Sequence, residues 1–241
     1  MINEYSKIYK RGFVLDSNGE KRQIFPVSLL EHESEFLYNF CLDNKIKKVL
    51  EVGLGFGMSS VYIGQALQEN GCLGHTIIDP WQKETYQNAG LLTIQNAKLN
   101  HQVKYIKEKS ELILPRLVSF NEQFDLCFID GCHTFEHAFI DSFYCDQLIS
   151  EGGFIVLHDL WMPSIRKLAK YLVRNKGYSI QKINTTKNIP FRSKVYKTFV
   201  KLFQYKYLFD SSFVFTLGPE NICVLRKNTK IQVDHTDYLR F

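Results

Sequence analysis

Short apolar runs that end at a glycine or an acidic residue alternate with helical stretches between residues 48 and 177. The alternation repeats about every 25–30 residues, which is the length of one strand, one helix and their connections. It predicts an α/β domain with a doubly wound, mostly parallel sheet that helices cover on both faces. Ligands of such a sheet bind beyond the carboxyl ends of its strands.

The predicted strands are short and apolar, as expected for burial on both faces. They comprise Lys48–Val52, 76–78, Val103–Ile106, Phe124–Ile129 and 154–157. We predict helices at 29–42, 59–70, about 84–99, 111–117, 134–149 and 164–175. The pair Gly152-Gly153 is expected to break the chain before the fifth strand. The last strand is predicted at 222–225, and the strand before it at either 178–183 or 213–215.

The chain has 241 residues and an ordinary soluble composition, with 45% hydrophobic and 23% charged residues. No apolar run approaches the ~18 residues of a membrane span, and the N-terminal residues lack the apolar stretch of a secretory signal. We therefore expect a cytoplasmic protein whose six cysteines are reduced thiols. The expected organisation is an N-terminal helical extension over residues 1–45 and one α/β domain over residues 46–241.

A glycine-rich loop, E-V-G-L-G-F-G over residues 51–57, follows the first predicted strand. Glycines allow a tight turn and a close approach of a ligand to the backbone, and the next helix points its N-terminus at that ligand. Asp79 ends the second strand, where a residue that binds ribose hydroxyls belongs. A dinucleotide site would carry a third glycine where Met58 stands, so an adenosine ligand without a pyrophosphate is favoured over a nicotinamide cofactor.

The glycine loop and the acid after the second strand resemble the class I S-adenosylmethionine-dependent methyltransferases. A more specific likeness lies in F-I-D-G-C-H over 128–133, in Asp141, and in G-G-F-I-V-L-H-D over 152–159. These motifs resemble the macrocin-type sugar O-methyltransferases and, more distantly, catechol O-methyltransferase, over about residues 45–175. The resemblance implies a seven-stranded Rossmann-like sheet with an antiparallel last strand, and methyl transfer from S-adenosyl-L-methionine to oxygen.

The resemblance also implies contacts with that cofactor. The glycine loop would surround the methionine part, Asp79 would hold the ribose hydroxyls, and Ser110 would contact the adenine. The implied cofactor-binding residues are Glu51, Gly53, Gly55, Gly57, Ser59, Asp79, Ser110 and Asp130.

Asp130 and Asp159 end the fourth and fifth predicted strands, which should be neighbours about 4.8 Å apart. Two such carboxylates could share Mg²⁺, Ca²⁺ or Mn²⁺, and a nitrogen ligand from His158 would favour Mn²⁺, Fe²⁺ or Ni²⁺. The resemblance places metal ligands at Asp130 and Asp159, with His158 where the better-known members carry an acid. The alternative without a metal is that Asp159 caps the following helix and Asp130 orders the turn at Gly131.

His133 lies three residues after Asp130 and is a candidate general base for the acceptor proton. The alternative is a structural hydrogen bond from His133 to a backbone carbonyl at the start of a helix. The expected catalytic residues are His133, Asp130 and His158.

Residues 160–209 contain 12 Lys and Arg and no Asp or Glu, whereas the rest of the chain carries 18 basic and 25 acidic residues. Within this stretch, 184–217 is expected to be a basic aromatic insertion near the sheet edge. Three interpretations remain open: an amphipathic helix against the sheet or in a homodimer, a lid for an anionic acceptor such as a nucleotide- or lipid-linked sugar, and peripheral membrane contact. No stable nucleic acid partner is expected.

Together these features predict an S-adenosylmethionine-dependent enzyme that methylates a hydroxyl of a sugar or another small molecule, with a divalent cation and a histidine base. The alternatives are a metal-independent methyltransferase acting on nitrogen or RNA, an NAD-binding oxidoreductase, and a non-catalytic interaction module. Insensitivity to a chelator would favour the first alternative, and nicotinamide binding the second. Failure to bind either cofactor would favour the third.

Overall fold

The structure is a computed structural model that describes residues 2–72, 74–181, 221–228, 238, 239 and 241. The predicted insertion at 184–217 and the alternative strand at 213–215 lie outside these residues. Within the described part of the chain, no helix is both long and apolar enough to cross a bilayer.

The described strands are β1 (Phe13–Leu15), β2 (Lys21–Gln23), β3 (Lys48–Val52), β4 (Gly74–Ile78), β5 (Val103–Ile106), β6 (Phe124–Ile129), β7 (Ile149–Leu157), β8 (Tyr178–Ile180) and β9 (Cys223–Lys227). Seven of them form one sheet in the order β5-β4-β3-β6-β7-β9-β8. Strands β3 to β7 are parallel, whereas β9 runs antiparallel to β7 and β8. The predicted fold, a doubly wound and mostly parallel sheet with an antiparallel last strand, is confirmed.

The described helices are α1 (Ile2–Arg11), α2 (Glu31–Asp43), α3 (Met58–Glu69), α4 (Ala89–Asn96), α5 (Ser110–Ser119), α6 (Phe135–Leu148) and α7 (Pro163–Lys176). Successive residues of a strand face opposite sides of the sheet. Leu50 and Cys127 therefore pack against α5, α6 and α7 on one face, and Val49 and Leu126 pack against α2 and α3 on the other. This burial on both faces is why the central strands are mostly apolar.

The N-terminal residues, predicted as a helical extension over 1–45, contain a hairpin as well as helices. Helix α1 is followed by an antiparallel hairpin of β1 and β2. Tyr5 and Tyr9, four residues apart on α1, place their rings 5.8 and 6.3 Å from the ring of Tyr62 on α3. Tyrosines rather than aliphatic residues thus form the buried side of this helix, and the aliphatic pattern of an amphipathic helix is missing.

Two local predictions are wrong. Helix α4 is shorter than the predicted 84–99 because Gln87 and Asn88 adopt left-handed φ angles of 44° and 60°, which a continuous helix excludes. The pair Gly152-Gly153 does not break the chain before the strand but lies inside β7. Gly152 has a φ of 78°, and the pairing of β6 with β7 shifts register in this region, so the glycines accommodate an irregularity within the strand.

The register of the sheet positions the candidate site. Val52 at the end of β3 pairs with Ile78 of β4 and with Ile129 of β6, and Ile129 pairs with Leu157 of β7. The four strands therefore end at the same level. The residues that follow them are Gly53, Asp79, Asp130 and His158.

Candidate active site

A cavity of about 1250 Å³ opens at the carboxyl ends of these strands. Pockets for one small molecule usually measure about 300–1000 Å³, so this cavity has room for a cofactor and a second small molecule. Predicted site residues on its wall are Gly53, Gly55, Ser59, Asp79, Ser110, Asp130, His133, His158 and Asp159. The predicted residues Glu51 and Gly57 do not line it.

The glycine loop is tied to the ends of both neighbouring strands. Gly53 has a φ of 94°, and a Cβ atom there would lie 2.3 Å from the backbone oxygen of Asp130, so only glycine fits. The backbone N–H groups of Leu54 and Gly55 donate to Oδ2 of Asp79 at 2.9 and 3.2 Å. Gly57 adopts a left-handed φ of 77° and caps α3. The loop geometry thus depends on the residues that follow β4 and β6.

Asp79 is buried and accepts further hydrogen bonds from the segment that follows it. The backbone N–H of Trp81 donates to Oδ1 at 2.7 Å, and the side-chain amide of Gln82 donates to Oδ2 at 3.1 Å. Including the two loop N–H groups, four donors compensate this buried carboxylate. Asp79 therefore shapes the glycine loop as well as the cavity wall.

Glu51 lies beneath the loop and is fully buried. Its carboxylate accepts hydrogen bonds from the Ser59 hydroxyl at 2.5 Å and the Ser60 hydroxyl at 2.8 Å, and it contacts Nε2 of His75 at 2.8 Å. These bonds connect β3 to β4 and to the first turn of α3. The structure thus gives Glu51 a supporting position, and direct contact with a cofactor stays a prediction.

Ser110 begins α5 and lines the cavity beside the buried carboxyl group of Asp141 on α6. Burial raises the pKa of Asp141 to about 6, although the Ser110 hydroxyl beside it opposes the rise. Among the described residues, Oδ1 of Asp141 has no hydrogen-bond partner. The Asp141 carboxyl group therefore keeps its proton to a higher pH in the folded protein than in the unfolded chain.

Asp141 should make the stability depend on pH. A carboxyl group with a raised pKa in the fold contributes stability that is full at about pH 4 and is lost as the pH rises through about 6. We expect wild type to lose on the order of 2–3 kcal/mol of unfolding free energy relative to Asp141→Asn between about pH 4 and pH 7. Urea unfolding at several pH values measures this, with Asp43→Asn at the exposed end of α2 as the control. Parallel curves for wild type and Asp141→Asn would contradict it.

Asp130, His133 and Asp159 form a compact cluster on the cavity wall. Nε2 of His133 lies 3.4 Å from Oδ1 of Asp130 and 3.0 Å from Oδ2 of Asp159. One ligand atom from each residue lies within 4.8 Å of the others. Two carboxylate oxygens and one imidazole nitrogen suit a divalent cation such as Mn²⁺, so these residues fit the predicted metal.

The two carboxylates hold a proton on His133 in this structure. Burial lowers the pKa of His133, but the Asp130 and Asp159 carboxylates beside it outweigh burial and raise it to about 9. In turn, the two histidines hold the pKa of Asp159 well below its usual value against the effect of burial. His133 is therefore a cation at neutral pH while only carboxylates surround it.

His158 lies behind Asp130 rather than in the cluster. Its Nδ1 contacts Oδ1 of Asp130 at 2.9 Å, and its Nε2 faces Oε2 of Glu33 at 3.5 Å and Nδ2 of Asn221 at 3.3 Å. Burial lowers the pKa of His158, but the Asp130 carboxylate and its neighbours raise it well above the usual value. Because protein groups face both ring nitrogens, the structure places His133, and not the predicted His158, among the candidate ligands.

Residues 50–160 match the protein family described as Methyltransferase domain. The matched segment includes the glycine loop, Asp79 and the cluster of Asp130, His133 and Asp159, and its strands have the sheet order described above. The chain therefore contains a methyltransferase domain, and its sheet has the strand order of the class I methyltransferase fold. No curated protein matches the sequence of this methyltransferase.

Three solved structures share the fold of this methyltransferase. Cofactor-bound Rv0187 from MTB is 14% identical with a TM-score of 0.61, over 94% of this chain and 88% of its own. The O-methyltransferase from Bacillus cereus in complex with SAH is 16% identical with a TM-score of 0.58, over 75% and 81%. The O-methyltransferase TomG from Streptomyces achromogenes, in complex with SAM, is 14% identical with a TM-score of 0.61, over 95% and 89%. At these identities the likeness establishes the fold alone.

Three residues of the methyltransferase cavity were not predicted from the sequence. Asn221, just before β9, donates to Oδ1 of Asp159 at 2.8 Å, and the indole N–H of Trp161 donates to the same oxygen at 2.8 Å. Glu33 on α2 approaches His158. Asn221 and Glu33 lie far from the cluster in the sequence, and no local pattern connects them with it. Trp161 lies only two residues after Asp159, so the residues around that motif could have revealed it.

Proposed function

We propose that this methyltransferase transfers the methyl group of S-adenosylmethionine to a hydroxyl oxygen of a small molecule. The observation that carries the proposal is the cluster of Asp130, His133 and Asp159 on the wall of the cavity that the glycine loop also lines. A cavity that holds the sulfonium and the hydroxyl together can align them for in-line transfer. The neighbours from Bacillus cereus and Streptomyces achromogenes are O-methyltransferases, which supports oxygen as the acceptor atom.

The proposed cofactor subsite lies at the glycine loop. The backbone of Gly53 and Gly55 would bind the methionine part, Asp79 would bind the ribose hydroxyls, and Ser110 would contact the adenine. Their common position on the cavity wall supports these roles. The remaining residues proposed for this subsite are Glu51, Gly57, Ser59 and Asp130, of which Glu51, Gly57 and the backbone of Asp130 would act by shaping the loop.

We further propose that Asp130, His133 and Asp159 hold a divalent cation, either Mg²⁺ or, because of the imidazole nitrogen, Mn²⁺. When bound, such a cation lowers the pKa of an acceptor hydroxyl and orients it. His133 would have to give up the proton that the two carboxylates stabilise on it. His158, whose ring nitrogens face Asp130 and Glu33, would support Asp130 instead of serving as the ligand predicted from the sequence.

The predicted role of a histidine as general base requires a neutral imidazole that reaches the acceptor hydroxyl. Carboxylates raise the pKa of both His133 and His158, so neither is a ready proton acceptor at neutral pH in this structure. His133, which lines the cavity, is the histidine proposed as base for a route without a metal, and it would first have to release the proton that Asp130 and Asp159 stabilise.

The rim of the cavity supports an acceptor that carries a ring. Five large apolar side chains on the cavity wall are 41–53% exposed, namely Phe25, Val27, Leu30, Trp81 and Trp161. Aromatic side chains with one exposed face can stack on a planar ring or on the apolar face of a sugar. We therefore propose a sugar or another ring-bearing small molecule as the acceptor class.

Product analysis tests the proposed function. The full chain is incubated with S-adenosylmethionine, Mn²⁺ and a panel of monosaccharides, nucleotide sugars and polyphenols, and SAH formation and product mass are measured. We expect a methyl ether, loss of turnover with a chelator, and recovery when Mn²⁺ is restored. Methylation of nitrogen would contradict the acceptor atom, and undiminished turnover in chelator would contradict the cation.

A further inference from the structure

Glu33 lies in the first turn of α2 and lines the cavity, yet it is only 4% exposed. Its Oε2 accepts the backbone N–H of Leu30 at 2.7 Å, as in a helix capping box. A glutamate that only caps a helix does not need burial, and buried glutamates are rare unless they are paired. The burial of Glu33 therefore points to a second partner.

That partner is His158. Oε2 of Glu33 lies 3.5 Å from Nε2 of His158, an ion-pair contact, and Nδ1 on the other side of the ring lies 2.9 Å from Oδ1 of Asp130. Oδ1 of Asp130 in turn lies 3.4 Å from Nε2 of His133. Carboxylates and imidazoles thus alternate from the N-terminal helix α2 to the cluster. Two further polar groups lie beside the His158 ring: Oδ1 of Asp159 is 3.6 Å from Nδ1, and Nδ2 of Asn221 is 3.3 Å from Nε2.

We propose that Glu33 is a positioning residue that holds His158 from the side opposite Asp130 and thereby orients the Asp130 carboxylate within the cluster. A partner at each ring nitrogen restricts the rotation of an imidazole and fixes the directions in which its N–H groups point. An imidazole held in this way presents a fixed donor to Asp130. The inference rests on the proposed function, because the cluster is where the orientation of Asp130 matters.

One oxygen of the buried Glu33 carboxylate is not compensated by a hydrogen bond within the described part of the chain, so burial of this carboxylate should lower the free energy of unfolding. Its Oε1 is buried and has no hydrogen-bond partner among the described residues. A glutamine could cap the helix through its amide oxygen without burying a charge, and residues that lower stability while serving a site are typical of enzymes. Glu33→Gln should therefore retain the fold while it weakens the hold on His158.

The experiment compares wild type with Glu33→Gln and with a matched control, Glu31→Gln. Glu31 lies in the same turn of α2 and is not on the cavity wall. Three quantities are measured on the full chain: the thermal midpoint, the ¹⁵N resonances of the His158 ring without metal, and the affinity of the SAH-loaded protein for Mn²⁺. For Glu33→Gln we expect shifted His158 resonances, about tenfold weaker Mn²⁺ binding, and a thermal midpoint equal to or above that of wild type. Glu31→Gln should match wild type in the resonances and in Mn²⁺ binding.

Two results overturn the inference. If Glu33→Gln leaves the His158 resonances and the Mn²⁺ affinity as in wild type, Glu33 does not act through His158. If it lowers the thermal midpoint and leaves the resonances unchanged, Glu33 is only a helix cap. Failure of wild type itself to bind Mn²⁺ would instead contradict the proposed metal site, and the metal-free His158 resonances would then decide the role of Glu33.

Discussion

Asp130→Asn is expected to abolish turnover, with a loss on the order of 10²–10³-fold in kcat or more, while SAH binding stays largely intact. The Asp130 carboxylate contacts Nδ1 of His158 at 2.9 Å and Nε2 of His133 at 3.4 Å. An asparagine amide carries no charge, so it would hold a divalent cation with Asp159 more weakly and cannot balance two protonated imidazoles. The backbone oxygen of Asp130 near Gly53 is unchanged, so the loop should keep its shape. The measurement is the initial rate of SAH formation, paired with SAH titration of the same variant.

Asp43→Asn is the matched control for this change, since it converts an exposed carboxylate to an amide at the end of α2. It should retain the wild-type rate. Full activity of Asp130→Asn on the identified acceptor would contradict the metal site. Equal losses of rate and SAH affinity would show that the side chain of Asp130 serves the cofactor instead.

Asp79→Ala is expected to weaken SAH binding by about 100-fold or more and to lower the unfolding free energy by about 3 kcal/mol or more. The Asp79 carboxylate accepts four hydrogen bonds, from the N–H groups of Leu54, Gly55 and Trp81 and from the Gln82 amide. Each buried donor left without a partner costs about 1–3 kcal/mol. The substitution therefore removes both the proposed ribose contact and the support of the glycine loop. Calorimetric SAH titration and urea unfolding measure the two effects.

Asp79→Asn separates these two effects, because its amide oxygen can still accept some of the loop hydrogen bonds. We expect it to lose less stability than Asp79→Ala while it still binds SAH more weakly than wild type. Wild-type SAH affinity in a folded Asp79→Ala variant would show that the ribose lies elsewhere.

The central sheet could be predicted from the sequence because strands that are buried on both faces form short, mostly apolar runs. The predicted bounds of three strands agree with the structure, namely Lys48–Val52, Val103–Ile106 and Phe124–Ile129. The alternation of strands with helices then determines that the strand ends, and the residues after them, meet at one edge. The bounds of helix α1 within the predicted helical extension were not predicted, because Tyr5 and Tyr9 rather than a run of aliphatic residues form its buried side. Gly152 and Gly153 of β7 were misinterpreted because glycine is expected both at a break in the chain and at an irregularity within a strand.

Only the part of the candidate site that follows from the positions of the strand ends could be predicted from the sequence. Asp130 and Asp159 lie together because β6 and β7 are neighbours in the sheet. Residue type and spacing did not reveal that His133 lies beside both carboxylates while His158 lies behind Asp130, since side-chain direction depends on the loops. Glu33 lies three residues after Leu30, which is the spacing of a helix capping box. A capping box predicts where a helix begins, but it does not predict a contact with a histidine that follows a distant strand.

Calorimetric titration of SAH into the full chain, once with Mn²⁺ and once with a chelator, tests the central claim most directly. The glycine loop, Asp79 and the large cavity predict micromolar SAH binding under both conditions. A difference in affinity between the two conditions would further support a cation beside the cofactor. The absence of binding under both conditions would contradict the assignment of this cavity to S-adenosylmethionine.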